Sequence, residues 1–481
     1  MSRNVRVKDD DRFGGSLWIK NGVRVTGEGG DPIQVAGSVT VDETSFFGGN
    51  WDIESDLEVA GVLAPGNLIG TVKVGGDHTF VSGATYRVEI DADGNSDLLE
   101  VGGAAHLDGT VEVDGARTVQ DVKLGHVYTI VDAKGGLDGT RFDGVDGVEW
   151  IVELPFLAAA LSYSTTKAFL TIGRSGTPFN AAARTKNQTV VADAVDSLGF
   201  GASVHDAIAV STETAQARTA FDLLSGEIHA SMRAGLLEGG REVRSVLVDR
   251  LRLDTPRGLW MDVIGATSDT DATSNAAAVK RNAGGFMIGG GDTVGDDWRV
   301  GGAVGYTSSR LSAAQRLSSG KAKTLHLAAY GATTLGEAIG LRLGAAHSWH
   351  DVDTDRTAVV GNLSETLKAD YNARTSQVFG EIGYPLPVAA IDAEPFLGLA
   401  YVNHRSDDFR ERGGGAALDG SSSSDNIGVS TLGLRGGKSF PVSDGSSLTL
   451  EAMVAAGVAN ADDIGRLRLL AVAEPQELDV G

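Results

Sequence analysis

The chain of 481 residues contains no cysteine, which removes disulfide scaffolds, thiolate zinc sites and cysteine nucleophiles from consideration. The absence also suits a polypeptide that crosses an oxidising compartment unfolded, where an early disulfide would lock a loop. Proline is scarce, 10 residues against 66 glycines, a balance that favours tight turns and close strand contacts over Pro-rich linker. Basic residues are outnumbered, 41 against 64 acidic ones, giving a net charge of −23. Without clustered cations to displace counterions, nucleic acid is excluded as a partner. No run of eighteen apolar residues occurs, so no transmembrane helix is expected. A membrane role would have to be carried by a strand barrel. The stretch Met1–Arg12 lacks the apolar region of a secretory leader, so a secreted reading expects a leader upstream.

What the chain does have is strand signal. From residue 13 to about 150, short apolar pieces such as Ile33-Gln-Val35, Val39-Thr-Val41, Leu57-Glu-Val59, Thr71-Val-Lys-Val74 and Tyr86-Arg-Val-Glu-Ile90 alternate apolar with polar. Gly-Gly, Gly-Asn, Asp-Gly and Pro-Gly pairs separate them every eight to twelve residues, as turns do. A β-sandwich and a right-handed β-helix both fit this pattern; its evenness favours the β-helix. Asp91, Asp93, Asn95 and Asp97 imitate a calcium loop, but the glycine falls at position four and position twelve is Gly102. An acidic solvated turn is the expectation there.

The character changes near Thr177. Asn187 to Leu198 reads as a helix ended by Gly199, and from about 205 to 253 a second, longer helix is expected. Its apolar positions Ala220, Leu223, Leu224, Ile228, Met232, Leu236 and Leu237 recur at three and four residues. Glu238, Arg241, Glu242, Arg244, Asp249, Arg250 and Arg252 crowd its far end, which suits a polar, water-lined lumen better than an apolar core.

Beyond Pro256 the segments lengthen. Trp298–Tyr306, Leu325–Gly331, Leu341–Trp349, Val378–Tyr384 and Leu448–Ala456 place apolar or aromatic residues on one face and Gly, Arg, His, Glu or Thr on the other, the dyad of a membrane barrel strand. Trp260, Trp298, Tyr306, Trp349, Tyr384 and Tyr401 fall near segment ends, where an aromatic girdle is expected. The polar insertion Arg410–Ser424 reads as a long outer loop. Eight or nine strands of the ~ten residues that span a bilayer can be counted. After Asp462 the alternation is lost, and an incomplete barrel is the expectation.

Catalytic signatures are missing: there is no Gly-x-Ser-x-Gly elbow, Walker loop or His-Glu-x-x-His motif. His347 and His350, the densest histidine pair, would point to opposite faces of a strand and could not chelate one ion together. No enzyme activity, cofactor or metal is expected.

Leu224-Ser-Gly-Glu-Ile-His-Ala-Ser231, preceded by Thr185-Lys-Asn-Gln-Thr-Val-Val-Ala192 and by Leu161–Ile172, resembles the passenger-to-barrel junction of the type V autotransporters. Ala64-Pro-Gly-Asn-Leu-Ile-Gly-Thr-Val-Lys-Val74 and Ser96–Val101 resemble the end of their passengers. The resemblance implies a mostly β chain: a right-handed β-helix over 1–176 with its folding-nucleus segment, a helical linker over 177–255, and an antiparallel outer-membrane β-barrel over 256–481. It further implies a pore helix marked by Leu224, Ser225, Gly226 and Glu227, with no catalytic role. Its implied partners are outer-membrane lipid, the barrel-insertion machinery and a host or cell-surface ligand, and its function is export and surface display of its own passenger. Family barrels have twelve strands and end on an aromatic residue, which this sequence does not. The alternatives are a surface adhesin in which the β-helix itself binds cells, and a truncated, non-functional soluble β protein.

Overall fold

A computed structural model describes residues 3–8, 11–114, 118–148, 151, 154–252, 258–295, 297–336, 338–388, 391–443 and 446–462. The residues after 462, where alternation is lost, lie outside that set. The chain divides into two compact units, Met1–Ala182 with Asp196–Arg218, and Ala183–Val195 with Thr219–Gly481.

In the first unit, strands of two to seven residues stack in parallel into three sheets, visited in turn as the chain advances. Ile33 and Val35 pair in register with Trp51 and Ile53, and these with Val72 and Val74, so identical parities pile inward. Those side chains are almost fully buried, while the residues between them, Gln34, Asp52 and Lys73, face out. This is a β-helix, built because each short alternating strand can bury its apolar face only against neighbouring rungs. Gly109 shows why glycine punctuates the turns: it sits at φ +71°, and a Cβ there would meet the Ala84 backbone nitrogen at 2.9 Å. At the far end the parallel pattern stops. Val127–Ala133 pairs antiparallel with Lys167–Arg174, which pairs antiparallel with Leu157–Tyr163. The Asp91–Asn95 stretch is a turn in which the Asp91 carboxylate accepts the Asp93 and Asn95 backbone N–H groups.

Four helices follow: α1 (Lys186–Asp196), α2 (Ser203–Ala209), α3 (Thr214–Leu224) and α4 (Glu227–Arg252). The single long helix expected over about 205–253 is therefore three helices. At the last break the Ser225 hydroxyl donates to the Asp222 carbonyl at 2.7 Å, competing for a carbonyl of the final turn. Gly226 follows with no side chain to favour helix. The apolar stripe is nonetheless buried on both sides of the break, through Leu224, Ile228, Met232 and Leu236.

Among the described residues, the second unit carries one antiparallel sheet of nine long strands in sequence order, Gly258–Thr270, Val279–Val294, Trp298–Ala313, Ser318–Leu335, Ile339–Val360, Leu363–Gly383, Ile391–Ser406, Ser423–Ser443 and Ser446–Asp462, with short Leu386–Val388 paired to the seventh. Strand five runs 22 residues, about twice the length needed to cross a bilayer. Helix α4 touches strands two to six along its length and reaches Glu394 and Asp425 on strands seven and eight. Strands two to eight laid flat would cover about 30 Å, whereas a helix is about 10 Å across. The sheet must therefore curl around α4. Along most of strands three to six, inward residues are buried and outward ones exposed in alternation, and Leu259, Val263, Leu327, Val378, Leu399 and Leu432 are more than half exposed on the outer wall. Such a continuous apolar band is what a lipid-facing wall requires.

Two expectations about this wall need correction. Trp260 does not belong to an outer girdle: it points inward, donates to the Tyr330 hydroxyl at 2.6 Å and packs beside the Val243, Leu247 and Met287 cluster. The alternation places it on the lumen parity of Ile264, whereas Trp298, Tyr306, Trp349, Tyr384 and Tyr401 are exposed. Nor is Arg410–Ser424 simply an outer loop, since Glu411, Ala416 and Leu418 are buried.

Candidate functional site: the helix clamped in the barrel lumen

Glu227 opens α4 and brings a carboxylate to the positive end of the helix dipole. It accepts the Ala277 backbone N–H at 2.5 Å, from the loop between strands one and two, and Arg316 Nε at 2.8 Å, from the loop between strands three and four. Arg316 also lies 3.4 Å from Asp222 of α3, so one guanidinium straps both sides of the Ser225-Gly226 break. From the same loop between strands one and two, Asn275 holds Asn187 of α1 by two hydrogen bonds of 2.9 Å.

Arg356, 2% exposed and projecting inward from strand five, makes the second bracket. Its Nε and Nη2 reach Glu411 at 2.8 and 2.7 Å, its Nη2 donates to the Ala416 carbonyl at 2.5 Å, and its Nη1 donates to the carbonyls of Leu223 and Leu224 at 3.3 and 3.4 Å. The last carbonyls of a helix have no partner within it, and here an arginine supplies one. Glu411 in turn accepts the Leu418 N–H and contacts His229 Nε2, both at 3.0 Å. The His229 ring stacks on Phe409 with centroids 3.9 Å apart. The loop between strands seven and eight is thereby fastened over the helix junction.

Deeper in the lumen, Gln377 donates to the Gly240 carbonyl at 2.9 Å and accepts from Arg244 at 2.7 Å, while Arg281 forks onto Glu242 at 2.6 and 3.0 Å. The wall's own inward polar groups pair across strands. His326 bridges Thr307 and Ser348, and His350 bridges Thr324 and Thr375, which also meets His404. His347 faces the opposite way, against Ser376 on the outer wall. At the other mouth Arg299 donates to the Leu251 carbonyl at 3.1 Å, beside a cluster in which Arg342 and Arg435 both contact Glu381 and Glu394. The arrangement seats a charged helix in a barrel and fixes both of its ends. Its polar groups bind helix and wall to each other.

Of the four residues singled out from sequence, Leu224 is buried and offers its carbonyl to Arg356, Ser225 and Gly226 form the break, and Glu227 is bound by Ala277 and Arg316. Arg316, Arg356 and Glu411, which do the holding, were not singled out. The inward parity of Arg356, opposite to Asp353 and Asp355, is a signal that could have found it.

Residues 259–471, which include every long strand after the first residue of strand one, match the family model of the autotransporter β-domain. The chain carries an autotransporter β-domain. That places residues 259–471 in the outer membrane. Two proteins of Serratia marcescens, each named extracellular serine protease, resemble it: one is 29% identical and aligns with 89% of this chain and 45% of its own length, the other 28% identical over 90% and 46%. The chain thus spans about half the length of the curated relatives it matches. Among solved structures, the translocator domain of the autotransporter NalP from Neisseria meningitidis is similar at 18% identity and a TM-score of 0.41, over 52% of this chain and 82% of that one.

Proposed function

We propose that this chain performs the export half of an autotransporter's work: the β-domain inserts, α4 fills its lumen, and the β-helix N-terminal to it is held outside. The functional parts are taken as 1–176, 177–255 and 256–481, with Leu224, Ser225, Gly226 and Glu227 as the mouth element where the helix turns out of the pore. The observation that carries this reading is the helix itself. A 26-residue segment rich in Glu and Arg lies inside a strand barrel and is bound by charged groups at both ends. A charged helix has no reason to enter a soluble sandwich core, where each unpaired ion would cost several kcal/mol.

We further propose that residues 1–481 act as carrier and not as peptidase. Expression behind a secretory leader in a Gram-negative host tests both points. The folded chain is expected to migrate anomalously on gels until boiled, and protease added to intact cells should cleave residues 1–174 from it. A heat-modifiable barrel whose β-helix stays protected until the cells are broken would refute display. Hydrolysis of casein by the purified chain would refute the carrier assignment.

A further inference from the structure

The outer wall carries one feature that export does not use. Across strands one to four, outward residues fall into three successive rows set by strand register. The first is Val263, Phe286, Tyr306 and Leu325; the second Gly265, Gly284, Ser308 and Lys323; the third Thr267, Asn282, Arg310 and Lys321. Going towards the mouth that holds the start of α4, the wall is first apolar, then bare on strands one and two at Gly265 and Gly284 with Lys323 at its strand-four end, then cationic on strands three and four. Rows two residues apart are separated by about 7 Å. The second row sinks into an open trough of about 540 Å³ bordered by Arg310 and Lys321. Lys280, in the row beyond, faces outward beside it, with Asp269 of strand one as its exposed cross-strand neighbour.

We propose that this trough binds the headgroup of an anionic membrane lipid bearing more than one phosphate. The proposal rests on the outer-membrane reading of the barrel. Charge complementarity identifies the occupant, because four cations gather on strands two to four of a chain whose net charge is −23. Lys280 and Lys321 stand two strands apart, about 10 Å, so a headgroup carrying two separated phosphates can meet both without either side chain folding across the trough. The bare floor of Gly265 and Gly284 leaves room for a bulky headgroup, and the apolar row beneath receives its acyl chains. Asp351 and Asp353 lie in register with Lys323 and Lys321 on strand five, on the side away from the trough, and among the described residues they form no ion pair with those lysines. Basic groups just outside an apolar band are the general means by which membrane proteins hold anionic headgroups.

The test uses the full chain folded in zwitterionic detergent, with native mass spectrometry to count lipid adducts. Three probes are compared: a bisphosphorylated glucosamine-disaccharide lipid, phosphatidylglycerol and inorganic phosphate. A saturable single adduct with the first is expected, with phosphatidylglycerol and phosphate at least about tenfold weaker. The triple variant Arg310→Gln/Lys321→Gln/Lys323→Gln should lose affinity about tenfold or more, and the charge-matched Lys368→Gln/Arg374→Gln/Arg405→Gln, on the wall of strands six and seven, should not. Equal loss in both variants, equal binding of the three probes, or no saturable adduct on a heat-modifiable barrel would overturn the proposal. Absence of heat-modifiability would instead count against the outer-membrane reading on which it stands.

Discussion

Replacing Arg356 with methionine removes the guanidinium that joins strand five, the end of α3 and the loop between strands seven and eight. Arg356 and Glu411 have side chains only 1% exposed, so water cannot take over for either. Deleting one member of a buried pair costs about 3–5 kcal/mol, because the remaining charge is left uncompensated. Here the Leu223, Leu224 and Ala416 carbonyls lose a donor as well. At 1.4 kcal/mol per factor of ten, the junction should open roughly two to four powers of ten more often. The quantity to measure is amide hydrogen exchange of residues 227–236 in detergent micelles, with strands three to six as an internal reference. Exchange in α4's first turns should accelerate by up to that factor while the reference strands hold their protection. The double variant Arg356→Met/Glu411→Leu leaves no orphan charge and should recover most of the protection, since apolar replacement of a buried pair is close to neutral. The bracket argument fails if the double variant exchanges as fast as the single one, or if the single variant leaves residues 227–236 unchanged.

Three further outcomes follow. In the β-helix, burial raises the carboxyl pKa of Asp97 to about 7 despite the N–H groups of Glu89 and Gly70, and burial among Leu57, Phe80 and Ala105 lowers that of His78 to about 3. The raised Asp97 contributes stability below pH ~4 that is lost as pH rises through 7, whereas the depressed His78 contributes stability above pH ~6.5 that is lost on acidification, each by about 1.4 kcal/mol per pH unit. Between about pH 4 and 6.5 the slopes cancel; exchange in residues 71–101 should be flat there after intrinsic-rate correction, should quicken on acidification in Asp97→Asn, and should slow in His78→Leu. Glu227→Gln keeps an acceptor for Ala277 but gives up the charge facing Arg316, so proteolytic nicking at 225–226 should increase with a loss of about 1–3 kcal/mol in local stability. Gly240→Ala places a Cβ 3.8 Å from Gln377 and Thr375, an ordinary contact, and should stabilise α4 by about 1 kcal/mol. Gly235→Ala meets both Leu311 methyls at 3.1 Å and should gain less; denaturant-dependent exchange of α4 ranks the two.

Both strand regions were legible because alternation directly reports which residues a strand buries, whether its neighbour is a rung or a barrel stave. The same logic misled at residues 205–253. Leu224 and Ile228 are both buried, and a stripe at three and four residues reports burial without reporting that the backbone between them is continuous. Trp260 misled in a similar way, because an aromatic near a strand end fits either wall until the parity of Ile264 decides it. Glu411 was beyond reach. It sits in a Gly-rich, polar stretch whose local pattern is that of a solvated loop, and only the approach of Arg356 and His229 from far positions makes it a buried acid.

The His229 to Glu411 contact joins residues 182 positions apart in the chain. Contacts at such separation are late in forming, because the intervening segment must first be ordered. Glu411 is carried between strands seven and eight, so the clasp over the helix junction has no anchor until those strands have joined the wall. The bracket therefore closes last: His229 and Arg356 can be in place with their wall and helix, yet the clasp exists only once strands seven and eight carry Glu411 to the junction.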